Sequence, residues 1–119
     1  MRAGLVEFSV AGDACVATVR AEIDIANSAQ LEAELQAGAA ENGGLIVVLS
    51  NCSYMDSSGL RVLIRLANAR GAAFGIVAPQ AGPVRRVLDV TGLAKHMAIS
   101  DSLAGALARL GAPAPAEIQ

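Results

Sequence analysis

A carboxylate and two hydroxyls stand side by side in Asp56-Ser57-Ser58-Gly59, between the apolar run Leu45-Ile46-Val47-Val48-Leu49 and a segment in which Leu60, Leu63, Ile64 and Ala67 recur at helical spacing. The four residues therefore fall at a strand-to-helix junction, with their hydroxyls and unpaired backbone N–H groups at the positive end of the helix dipole. Such a place accommodates an anion. A phosphoryl group on Ser58 would leave the helix intact and act through its bulk and a charge of about −1.5 to −2. With Ser58 opening the helix, spacings of three and four put Arg61, Val62 and Arg65 on an outward face, opposite the inward Leu60, Leu63, Ile64 and Ala67. Hydroxyl, cation and aliphatic carbon on one such face suit the docking of another protein better than the enclosure of a small molecule. Taken alone, the same four residues also read as a helix cap and its turn.

The rest of the chain offers little to catalysis. His96 is the single histidine and lies near the last strand rather than in a polar loop, and no G-x-x-x-x-G-K-[ST] phosphate cradle is present. Cys15 and Cys52 have neither C-x-x-C spacing nor a His cluster and read as reduced core thiols. No cofactor or metal site is expected. A net charge of −2 and 3% aromatic residues with no Trp argue against a direct nucleic-acid partner, which would want a basic footprint or a stacking platform. The start, Met1-Arg2-Ala3-Gly4, lacks a signal peptide's apolar core, and no apolar run approaches the ~20 residues that span a bilayer, so a cytoplasmic chain without membrane contact is expected.

The elements that must hold the serines follow from the periodicity. The 119 residues fit one domain, 1–119, and the 54% hydrophobic content must build its core mainly from Val, Leu and Ile. Alternation predicts strands over Leu5–Val10 and Cys15–Arg20 with a hairpin at Ala11–Ala14. After Glu22-Ile23-Asp24-Ile25, Asn27 or Ser28 opens a first helix whose inner face is Ala29, Leu31, Leu35 and Ala39 and which Asn42-Gly43-Gly44 ends. The buried strand 45–49, the serine helix ending at Gly71 and a second buried strand over 73–78 come next. Pro83 opens a third helix with Val84, Val87 and Leu88 inward, a short strand spans 97–99, and Asp101 or Ser102 caps a last helix lined by Leu103, Leu107 and Leu110. A frayed tail is expected over about 112–119. The order β-β-α-β-α-β-α-β-α predicts an α/β fold with a mixed sheet and about four flanking helices. Right-handed crossovers make the last three strands parallel, and the loops at their C-terminal ends, together with the loop around Asp24, become the place to look for function.

The run Tyr54-Met55-Asp56-Ser57-Ser58-Gly59-Leu60-Arg61-Val62-Leu63 resembles the phosphorylation segment of the anti-sigma factor antagonists of the STAS family. Ala21-Glu22-Ile23-Asp24 is similar to that family's second acidic signature, usually Gly-Glu-hydrophobic-Asp, and Val84-Arg85-Arg86-Val87-Leu88-Asp89-Val90-Thr91-Gly92-Leu93 to its third-helix segment; Ala21 departs from the usual glycine. With matching spacing and length, the resemblance covers nearly the whole chain. It implies a STAS-like fold and a partner-switching cycle in the regulation of transcription, as in stress response or sporulation. The unmodified antagonist binds an anti-sigma factor and so releases a sigma factor. The anti-sigma factor is also a serine kinase that inactivates the antagonist, and a separate phosphatase resets it. The chain itself is then not an enzyme.

Carried over by position, Ser58 matches the acceptor, ahead of Ser57, Asp24 and Asp56 match the acidic residues beside it, and Gly59 matches the small residue that lets the partner approach. The expected partner surface is Asp24, Asp56, Ser57, Gly59, Arg61, Val62 and Arg65. Whether the two aspartates orient the serine or cap helices, and whether the free chain forms a weak homodimer, are left open. The other reading on the same fold is a STAS scaffold or adaptor, in a stressosome-like or transport complex, with no phosphorylation cycle.

Overall fold

The structure, a computed structural model, describes residues 4–39 and 43–110. Strands β1 (Val6–Ala11) and β2 (Ala14–Val19) form an antiparallel hairpin through Gly12 and Asp13, where Gly12 takes φ 60°, a left-handed value that costs glycine little. Strands β3 (Gly44–Val48), β4 (Phe74–Val77) and β5 (Ile99–Ser100) then add in parallel, giving one five-stranded sheet in the order β1-β2-β3-β4-β5. Helix α1 (Ser28–Gly38) connects β2 to β3, α2 (Ser57–Arg70) connects β3 to β4, α3 (Pro83–Val90) connects β4 to β5, and α4 (Leu103–Arg109) closes the series. This is the expected mixed α/β architecture in the expected order.

The pleat of the sheet divides the core. Ala17, Val19, Leu45, Val47, Phe74 and Ile76 point to one face and pack with Leu31 and Leu35 of α1, Leu63 and Leu66 of α2, and Val84 and Leu88 of α3. Ala14, Ile46 and Val77 point to the other face and meet Ala106 of α4. Strands β3 and β4 are thus covered on both sides, which is why their sequences run apolar without alternation, whereas β1 lies at the sheet edge and leaves Phe8 and Val10 exposed.

Several details differ from expectation. Ala29 is exposed, because the inner stripe of α1 is Ser28, Leu31 and Leu35. In the short α4 the small Ala106 is the residue pressed onto the sheet, and Leu103, Leu107 and Leu110 flank it half-buried. β5 begins at Ile99, since only Ile99 and Ser100 find ladder partners on β4. Helix α1 stops at Gly38; Asn42, expected to end it, lies outside the described residues, as do Met1–Ala3 and the tail over 112–119.

Candidate functional site: two serines at the start of α2

Beyond the ends of β2 and β3 the chain keeps the pairing of the two strands going for one more step. The Ile23 N–H donates to the Tyr54 carbonyl (2.9 Å) and the Asp56 N–H donates to the Ile23 carbonyl (3.1 Å), a single parallel bridge of Ile23 with Met55. Both side chains of the bridge are buried, so it is a clip anchored in the core. The Ser53 hydroxyl donates to Glu22 Oε2 across the same two loops (3.1 Å). In this register Asp24 stands beside Asp56.

Asp56 is the N-cap of α2, with extended backbone at φ −91° and ψ −172°. Its Oδ1 accepts from the backbone N–H of Ser58 (2.9 Å), from that of Gly59 (3.3 Å) and from the Ser58 hydroxyl (2.5 Å). The Ser58 hydroxyl, against a smaller opposing effect of desolvation, holds the carboxyl below its ordinary value, and the N–H groups of Gly59, Ser58 and Ile25 add to the lowering. Capping the helix and holding the serine are thus one role, carried by one oxygen. The two serines are not equivalent. Ser58 is only 8% exposed and its hydroxyl is committed to Asp56, whereas Ser57, the first residue of α2, is exposed and its side chain makes no hydrogen bond among the described residues.

The STAS domain profile matches residues 6–106, from β1 into α4. The chain belongs to the STAS family. It is 39% identical over 71 residues to the anti-sigma F factor antagonist of Paenibacillus polymyxa, an alignment that spans 56% of this chain and 58% of that relative's length. Among solved structures it resembles an anti-sigma factor antagonist from Mycobacterium paratuberculosis, with a TM-score of 0.79 and 28% identity over 88% of this chain and 92% of the other. The anti-sigma factor antagonist SpoIIAA in its unphosphorylated form shares the fold at a TM-score of 0.56 and 18% identity, covering 83% and 90% of the two chains.

Within this STAS domain the remaining site residues fall into two stripes along α2. Ser57, Arg61 and Arg65, each four apart, are exposed, while Ser58, Val62 and Leu66, likewise four apart, are buried. Val62 therefore belongs to the core and cannot touch a partner, a correction to its expected outward position; the apolar arc of α2 takes in Leu60, Val62, Leu63 and Leu66, and leaves Ile64 and Ala67 half-buried. Gly59 is corrected too. It is buried, and a Cβ there would lie 2.5 Å from Met55 Cγ and 2.8 Å from Ile23 Cγ2, so its lack of a side chain lets α2 sit on the clip instead of admitting a partner.

Arg61 is exposed and makes no hydrogen bond or ion pair among the described residues, but Arg65 is engaged: its guanidinium donates to both oxygens of Glu32 on α1 (2.9 and 2.7 Å). That pairing lowers the Glu32 carboxyl and raises the Arg65 guanidinium from their ordinary values. Asp24 is an exposed turn residue. Its Oδ1 accepts from the Ala26 N–H (2.9 Å), its carbonyl accepts from the N–H groups of Asn27 (3.1 Å) and Ser28 (2.9 Å), and it makes no bond to either serine. Asn27 occupies the N-cap position of α1 without capping it, its Oδ1 accepting from the Asp24 N–H instead (3.0 Å).

Cys52 is buried and its thiol donates to the Tyr54 carbonyl (3.2 Å); burial raises the thiol pKa. Cys15 is half-buried, and partial burial raises its thiol pKa too. His96 is exposed between α3 and β5. Among the described residues no group of three or more His, Cys, Asp or Glu could hold a metal ion, and no helix is long and apolar enough to cross a membrane. Two residues beside the serines escaped the sequence reading. Ile25 and Tyr54 are both exposed, and their only signal was a large apolar group inside a loop that periodicity assigns to no core face.

Proposed function

We propose that this STAS domain is an anti-sigma factor antagonist whose docking surface is switched off by phosphorylation at the start of α2, and that the acceptor is Ser57 rather than Ser58. The observation that carries the reading is the contrast between the two hydroxyls, one exposed at the first turn of α2 and one buried on Asp56. The names of the relatives from Paenibacillus polymyxa and Mycobacterium paratuberculosis support the antagonist role, and the distinction of an unphosphorylated form in SpoIIAA supports a phosphorylated counterpart. The partner is an anti-sigma factor that is also a serine kinase. Ser57 Oγ attacks the γ-phosphorus of ATP held by that kinase, the bond to ADP breaks, and the hydroxyl proton leaves to a base of the kinase. A separate phosphatase restores the hydroxyl, and the chain itself supplies no catalysis.

A phosphoryl group on Ser57 adds about −1.5 to −2 charge at the positive end of a helix, which tolerates it. It also stands beside Asp56 and the neighbouring Asp24, so it concentrates negative charge on the surface formed with Arg61. Docking is lost while the fold persists.

The test combines the purified chain with Mg-ATP and each serine-kinase anti-sigma factor of the source genome, followed by site-localised mass spectrometry and a binding titration. Phosphate is expected on Ser57 of the wild type and of Ser58→Ala, and none on Ser57→Ala; Ser57→Asp is expected to lose anti-sigma binding. Phosphate on Ser58 alone overturns the choice of acceptor. An unmodified chain with full binding by Ser57→Asp overturns the switch and leaves the scaffold reading.

A further inference from the structure

Five large apolar side chains are strongly exposed among the described residues, namely Phe8, Val10, Ile25, Tyr54 and Val90. Phe8 lies against Gly38, where a Cβ would come within 2.2 Å of its ring, and Val10 is on the edge strand β1. Val90 ends α3. Only Ile25 and Tyr54 flank the serines. Resting on the reading of the chain as an anti-sigma factor antagonist, we infer that Ile25 and Tyr54 are the two apolar anchors of its docking surface, entering hollows on an anti-sigma factor whose rim is basic.

The placement follows from the clip. Tyr54 precedes Met55, and its carbonyl is held by the Ile23 N–H; Ile25 lies two residues beyond Ile23, with its backbone N–H on the Asp56 carboxylate. Ser57 follows Asp56, so the phosphorylatable hydroxyl lies in the same surface as both anchors. Ile25 is 78% exposed and Tyr54 50%, and among the exposed large apolar side chains they are the two that sit beside the serines. The loops that carry them are already ordered, Tyr54 through the bridge and Ile25 through the Asp24 carboxylate on the Ala26 N–H and the Asn27 side chain on the Asp24 N–H. Binding therefore loses little conformational freedom, the condition under which an exposed aromatic and an aliphatic become energetic hot spots.

The chemistry of the rim is set by charge. Exposed Glu22 and Asp24 border the anchors together with Asp56, while Arg61 is the one cation on the exposed stripe of α2 that is not already paired within the described residues. A complementary surface carries Lys or Arg around its two hollows. A phosphoryl group on Ser57, which a basic rim would attract, then acts through its bulk, holding the two anchors out of their hollows, and this couples the modification to the loss of docking.

Titration against the serine-kinase anti-sigma factor found in the preceding test decides the matter, with Ile25→Ala, Tyr54→Ala, Tyr54→Phe, Val10→Ala and Val90→Ala compared with the wild type and their melting followed in parallel. Ile25→Ala and Tyr54→Ala are each expected to raise Kd about tenfold or more, with melting unchanged and Tyr54→Phe close to the wild type. Val10→Ala and Val90→Ala remove side chains that are 78% and 81% exposed but lie elsewhere, and Kd should stay within about twofold. Anchor variants that bind as the wild type does while Ser57→Asp fails to bind overturn the anchors and leave the switch standing. Equal losses from Val90→Ala and Ile25→Ala overturn them as well. A wild-type chain that binds no anti-sigma factor and takes no phosphate overturns the antagonist reading, and the anchors with it.

Discussion

Asp24 and Asp56 occupy matching places, one register step from the Ile23–Met55 bridge and each ahead of a helix, yet they are used differently. Asp56 gathers two backbone N–H groups and a hydroxyl on one oxygen and so fixes the first turn of α2. Asp24 turns its carboxylate onto the Ala26 N–H, and its carbonyl, not its side chain, receives the N–H groups at the start of α1. What separates them is the residue two places on. Position 58 offers a hydroxyl inside the helix, whereas position 26 is an alanine in the turn. A cap with a hydroxyl inside the fold leaves the adjacent Ser57 as the outward one, and the same edge of the sheet therefore presents an exposed serine at α2 and only a turn at α1.

The comparison rests on the clip that places both loops, and Gly59→Ala strikes it hardest. Within a helix that change would ordinarily gain about 0.5–1 kcal/mol from backbone propensity. Here the new Cβ would stand 2.8 Å from Ile23 Cγ2, a branched methyl with nowhere to retreat, and 2.5 Å from Met55 Cγ. Overpacking of this kind costs about 1–3 kcal/mol, so a net loss of about 1–2 kcal/mol is expected from urea unfolding. A gain in stability would show that α2 does not press on the clip.

Next in size is the bond between Ser58 and Asp56. Ser58→Ala should lose about 1 kcal/mol, the usual worth of an intramolecular hydrogen bond. The partner variant Asp56→Asn has a distinctive pH signature. Because the folded state holds the Asp56 carboxyl below its ordinary value of 3.8, its contribution to stability is fully present above that pH and is lost as the pH falls through the lower folded value. The difference between wild type and Asp56→Asn should therefore be largest near neutrality and close in strong acid, as read from urea midpoints across that range. A difference independent of pH would mean that the Ser58 hydroxyl does not favour the ionised form.

The sequence made the scaffold legible and the facing of its side chains less so. The unbroken apolar runs of β3 and β4 announced strands covered on both faces, and Gly12, Pro83 and Gly71 marked turns and helix ends where the structure has them. The clip was invisible, because a single bridge between loops leaves no periodic trace. Arg61 and Arg65 are exposed as their spacing predicts, but Ser58 and Val62, grouped with them, face the core, and Ser57 is the outward serine. A helix with apolar residues at 60, 62, 63, 64 and 66 has an arc wide enough to admit either phase, and only packing against α1 and the sheet chooses between them. Arg65 shows the same limit, since nothing local in the sequence links it to Glu32, thirty-three residues earlier.

The smallest expected effect tests the contrast most directly. In Asp24→Asn the amide oxygen can still accept from the Ala26 N–H in the same exposed turn, the arrangement in which Asn and Asp substitute for one another. The loss should stay within about 0.5 kcal/mol, as read from urea unfolding near neutral pH. The same substitution at Asp56 replaces an acceptor of three donors, one of them a hydroxyl inside the fold, by an uncharged amide, and charge-assisted bonds are the stronger kind. If the two asparagine variants lose equal stability near neutral pH, the aspartates are equivalent turn residues, and the special standing of the α2 start must come from Ser57 alone.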